Sequence, residues 1–118
     1  MRKSLVILFL IFIGKTLSAQ IVSADSAKYF GDKIVSVKGI VMSTYETRGE
    51  KTSQVLNFGK PYPDQVFQVI IYEKDLSKFV VNPIEFFKDK ELTVRGKVKL
   101  LKGKPFILVD NPNQIVVK

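Results

Sequence analysis

The chain has 118 residues, 46% hydrophobic and 25% charged, with 19 basic against 11 acidic side chains and a formal charge of +8. That composition belongs to one small globular domain and excludes disordered or low-complexity architectures. Cys, His and Trp are absent, which excludes disulfide scaffolds, thiolate zinc sites, Cys nucleophiles and His-based catalysis.

Residues 1–19 read as a secretory signal peptide. Arg2 and Lys3 form a positive lead, Leu5 to Ile13 is an unbroken apolar run, and Leu17-Ser18-Ala19 ends on a small residue, so cleavage before Gln20 is expected. Gly14 and Lys15 interrupt the run, which falls short of the roughly 20 apolar residues that span a bilayer. No Cys follows it to carry a bacterial lipid anchor. The expectation is an exported domain, periplasmic or extracellular, comprising residues 20–118 and without a membrane span. The segment holds Arg2, Lys3, Lys15 and no acidic residue, so the remaining 99 residues keep a net charge of +5. Such an excess permits a polyanionic partner without requiring one.

Along the mature chain, Ser23 to Gly31 predicts a short helix, with Ser23 at the N-cap, Asp25 in the first turn and Gly31 at C′. From Lys33 the apolar period becomes two. Val35, Val37, Gly39 and Val41 face one side and Ser36, Lys38, Ile40 and Met42 the other, in a strand reaching Tyr45. Glu46 to Ser53 is a polar loop, Val55 to Phe58 a second strand, and Gly59 to Asp64 a turn stiffened by Pro61 and Pro63. Val66 to Tyr72 is a third strand, with Phe67, Val69 and Ile71 opposite Gln68, Ile70 and Tyr72. A turn and a short helix from Pro83 follow. Leu92 to Leu100 alternates as a fourth strand. Lys102-Gly103 makes a tight hairpin into Phe106 to Val109, and Ile115 to Val117 closes the chain after a turn at Asn111 to Asn113. Asp32 to Val41 echoes Asp89 to Val98 in pattern, each placing a Gly (Gly39, Gly96) at an inward strand position, where sheets bend.

Five strands, a helical segment between the third and fourth, and a Lys-Gly hairpin joining the last two resemble the OB-fold, a small barrel. Leu92-x-Val94-x-Gly96-x-Val98, Lys102-Gly103-Lys104-Pro105-x-Ile107 and Pro112-x-Gln114-Ile115 are similar to the last two strands of bacterial nucleic-acid-binding OB domains of the anticodon-binding type. Leu56-Asn57-Phe58-Gly59-Lys60-Pro61-Tyr62-Pro63-x-Gln65-x-Phe67 is similar to exported single-domain OB proteins, some of them attached to nuclease-like proteins. The resemblance implies an all-β, five-stranded closed barrel with small added helices. It also implies a ligand lying across strands two and three, between the first loop and the last hairpin.

The residues themselves argue against an enzyme. The carboxylates sit near turns or among lysines and form no DxD or ExxE pair within a strand, and no phosphate-binding glycine loop or nucleophile elbow occurs. No cofactor or metal is expected. Binding is better motivated. Arg95, Lys97 and Lys99 occupy outward positions of the fourth strand, with Lys102 and Lys104 at the hairpin, and such a stripe suits a polyanion. Tyr45, Tyr62, Tyr72 and Phe106 are candidate stacking rings, whereas Phe67 is expected in the core and Phe79, Phe86 and Phe87 at the barrel bottom. The resemblance adds Arg48 and Lys51 in the first loop, Lys60 in the proline turn, and an exposed face showing Asn57, Gln68, Ile70 and Tyr72, with Val55 on the same side. The expected partner is single-stranded nucleic acid, with a protein or glycan as the alternative, since OB barrels take all of these.

Overall fold

The computed structural model describes residues 20–118; the expected signal segment lies outside them. The chain enters as β1 (Ile21–Ser23), makes a 3-10 helix over Ala24–Tyr29, and continues as β2 (Ile34–Thr47), β3 (Ser53–Phe58) and β4 (Phe67–Tyr72). Two single-turn helices, α1 (Glu73–Leu76) and α2 (Pro83–Phe86), precede β5 (Glu91–Lys97), β6 (Lys99–Leu101) and β7 (Lys104–Leu108). A 3-10 turn at Pro112–Gln114 leads into β8 (Ile115–Val117). Pro83 takes the first helical position as expected. The first helix is 3-10 rather than α, and Ser23, its N-cap residue, makes no side-chain capping bond. β1 escaped the sequence reading because three residues carry no usable period.

β2 is long because it serves two neighbours. Ile34–Ile40 pairs antiparallel with β5, and Val41–Thr47 pairs antiparallel with β3, with a register shift between Val41 and Ser43. The inward set Val35, Val37 and Val41 is buried, and joins Leu56, Phe58, Phe67, Val69, Ile71, Leu92, Val94, Val98 and Ile107 in one core. Phe87, immediately after α2, closes that core and Phe79 packs against it. Phe86 instead lies exposed, with the Lys90 ammonium 4.5 Å from its ring centroid.

The sequence echo is a local two-fold of the β2–β5 ladder. Asp32 and Asp89 both adopt left-handed backbone (φ 66° and 68°). The Asp32 N–H donates to the Val98 carbonyl (2.7 Å) and the Val98 N–H to Lys33 (2.9 Å). In the other half, the Asp89 N–H donates to Val41 (2.8 Å) and the Val41 N–H to Lys90 (3.0 Å). The two glycines allow close approach: a Cβ on Gly39 would lie 3.0 Å from the Ala24 Cβ and 3.1 Å from Phe58, and one on Gly96 would lie 2.6 Å from the Ile107 Cγ2.

The all-β class stands, but the expected closed five-stranded barrel does not. The ladders describe an open sheet of eight strands ordered β6-β7-β4-β3-β2-β5-β8, with β1 added parallel to β2. The expected fourth strand breaks at Val98, whose backbone groups are taken by Asp32 and Lys33 just ahead of β2. β6 therefore runs past the start of β2 and pairs with β7 alone.

The buried carboxylate of Asp75, in α1, lies 3.0 Å from the Lys78 Nζ and 3.4 Å from the Lys74 Nζ. The hydrogen bond from Lys78 holds this carboxyl below its ordinary value, against the opposing effect of burial. Lys78 also donates to the Asp110 carbonyl (2.9 Å), tying the helical segment to the chain beyond β7.

Candidate functional site

Pleating sends alternate side chains to opposite faces, and cross-strand partners share a face. The observed registers therefore build the outer face as rows. One row runs Ser43, Asn57, Gln68, Phe106 and Lys99 across β2, β3, β4, β7 and β6. The next runs Tyr45, Val55, Ile70 and Leu108, and a third Thr47, Ser53 and Tyr72.

A groove of about 420 Å³ lies on this face, lined by Gln68, Ile70, Tyr72, Leu101, Lys102, Lys104 and Phe106. The hairpin that walls it turns at Lys102-Gly103, both with positive φ (53° and 81°), the backbone pair that matches the twist of a two-residue hairpin. Tyr72 also lines a second hollow of about 280 Å³ with Glu50, Lys51, Thr52, Glu73 and Lys74. The Lys51 ammonium stands 5.8 Å from the centroid of the Tyr72 ring. Towards β2, Tyr62 is 59% exposed and its ring tilts against Tyr45, with centroids 5.1 Å apart.

The floor between these rings is a fixed polar chain. The Tyr62 N–H and the Asn57 Nδ2 both donate to the Ser43 Oγ (3.1 Å each), and the Gln68 Nε2 donates to the Asn57 Oδ1 (2.9 Å). Buried amides are as a rule hydrogen-bonded, and both ends of the Asn57 amide are.

The sequence-predicted residues divide accordingly. Gln68, Tyr72, Lys102 and Lys104 meet at the groove, Lys99 stands beside Phe106, and Lys51 reaches Tyr72. Asn57 is fully buried rather than exposed, its amide bonded to Ser43 and Gln68, and Val55 is buried between its cross-strand partners Tyr45 and Ile70. Arg95 and Lys97 are exposed but project from the β2–β5–β8 part of the curled sheet, opposite Ser36 and Ile34, and take no part in the groove. Lys60 and Arg48 line neither hollow, and Arg48 is engaged by Glu46 at 3.2 Å. Sequence reasoning missed Ser43 and Leu101. The register shift that carries Ser43 outward has no sequence mark, whereas Leu101, immediately before the Lys-Gly turn, was findable from hairpin pairing. Among the described residues no three acidic side chains gather to hold a metal, and no helix is long and apolar enough to cross a membrane.

No protein-family model matches the chain, and no curated protein matches it. Among solved structures it is similar to one assigned as an aspartyl-tRNA synthetase from Leishmania major Friedlin, at 19% identity and a TM-score of 0.50, over 86% of this chain and 21% of that one. It is also similar to one assigned as a nucleic acid-binding lipoprotein from Klebsiella pneumoniae subsp. pneumoniae MGH 78578, at 12% identity and a TM-score of 0.47, over 80% of this chain and 77% of that one. The chain thus spans about a fifth of the synthetase's length, and the likeness to it concerns the fold alone.

Proposed function

We propose that the chain is an exported, non-catalytic OB-like module that binds single-stranded nucleic acid along the outer face of β2, β3, β4, β7 and β6. The observation that carries this reading is the convergence of Tyr72, Phe106, Ile70 and Leu101 with Lys102 and Lys104 around one groove. Bases stack on such rings whatever their sequence, and ammonium groups at the rim neutralise phosphates. The Tyr45–Tyr62 pair extends the stacking surface towards β2. The net charge of +5 on residues 20–118 agrees in sign. Export rests on the signal-peptide pattern of residues 1–19.

Fluorescence anisotropy with labelled oligo-dT tests the reading. The expected result is binding that weakens at least about tenfold between ~50 and ~200 mM salt, the signature of released counterions. Absence of binding at the lower salt would contradict it. The second reading, a peptide docked on the same face, draws on Leu101, which is 66% exposed; it would be favoured by a partner whose affinity is indifferent to salt.

A further inference from the structure

We infer that the groove is electrostatically one-ended: the phosphates of a bound strand are held at the β6–β7 hairpin by Lys99, Lys102 and Lys104, and the Tyr72 end supplies stacking without net phosphate contact. This deepens the reading above and rests on it.

The cations at the two ends are unlike. Lys99, Lys102 and Lys104 are exposed, and none forms an ion pair among the described residues. No carboxylate lines the groove beside them. Lys102 sits at the centre of the turn and lines the groove together with Lys104. At the other end the hollow under Tyr72 is lined by Lys51 and Lys74 but also by Glu50 and Glu73, which cancel them. Lys74 is further engaged by Asp75 at 3.4 Å, and Arg48, in the same loop as Lys51, by Glu46 at 3.2 Å. Surface charges act over about 8 Å at physiological salt, so this cancellation stays local and the hairpin keeps its positive potential. A phosphate drawn to the hairpin also releases its own counterions, whereas one placed at the Tyr72 end would face two carboxylates.

The test compares two sets of exposed substitutions by the salt dependence of oligo-dT binding. One is Lys99→Gln, Lys102→Asn and Lys104→Gln together, Asn being chosen because it tolerates the left-handed turn. The other is Arg48→Gln with Lys51→Gln. Each single-strand phosphate contributes about 0.7 to the slope of log affinity against log salt. The hairpin set is expected to lower the slope by about 2 and the loop pair by less than about 0.7, even though the loop pair loses the Lys51–Tyr72 contact. A loop pair that lowers the slope as much as the hairpin set, or a hairpin set that leaves it unchanged, overturns the inference while the proposed function stands. A wild-type chain without salt-dependent binding removes the functional reading itself and the inference with it. Thermal melting checks that both variants fold. If the triple variant does not, Lys104→Gln alone is expected to lower the slope by about 0.7.

Discussion

Gly96→Val lowers the stability of the domain by about 2–3 kcal/mol, the upper part of the range for overpacking a filled core. The added Cβ would lie 2.6 Å from the Ile107 Cγ2 and 3.2 Å from the Gln114 Nε2. Ile107 is fully buried and cannot withdraw. Gln114 is committed as well, since its Nε2 donates to the Arg95 carbonyl (2.9 Å) and its Oε1 accepts from the Asp110 and Asn111 N–H groups. One insertion therefore disturbs the core and the link that brings β8 onto β5. In a domain of this size each kcal/mol lowers Tm by about 4–8 °C, so a urea or thermal transition reads the effect directly. Gly49 differs in kind: nothing lies within 4 Å of a Cβ there, so a side chain at that position would meet only the strain of its positive φ and no packed neighbour. A Gly96→Val protein as stable as wild type would mean that β5 does not approach β7 as described.

The largest effect on binding is expected from the rings. Base–aromatic stacking contributes about 1–3 kcal/mol per base, so Tyr72→Ala and Phe106→Leu should each weaken oligo-dT binding by about 5- to 150-fold. Leu at position 106 fills most of the volume of a half-buried ring without offering a π face, which separates stacking from packing. Tyr72→Phe keeps the ring and should bind nearly as wild type. If Tyr72→Ala and Phe106→Leu both bind unchanged, the groove is not where the bases lie.

Much of this fold was legible in the sequence because burial imposes a period. Val35, Val37, Gly39 and Val41 repeat every second residue since one face of β2 meets the core, and Phe67, Val69 and Ile71 do the same in β4. Lys102-Gly103 announced its hairpin because few residue pairs accept positive φ twice. The break at Val98 was illegible: the alternation runs through it undisturbed, and only the competing bonds to Asp32 and Lys33 end the ladder there. The site was half legible for a related reason. Period two tells outward from inward, but in a curled sheet outward changes direction along a strand. Arg95, Lys97 and Lys99 share parity, yet only Lys99 stands beside Phe106. Asn57 shares a face with Gln68 as the alternation implies, yet it is buried rather than exposed, its amide bonded to the Ser43 hydroxyl that also accepts the Tyr62 N–H, a set of bonds between residues that no local pattern connects.

The most direct measurement is an NMR titration of residues 20–118 with oligo-dT at low salt. Amide shift changes are expected at Gln68, Ile70, Tyr72, Leu101, Lys102, Lys104 and Phe106, with Arg95 and Lys97 undisturbed. Shifts gathered instead at Arg95, Lys97 and Val116, or no shifts at saturating oligonucleotide, would contradict it.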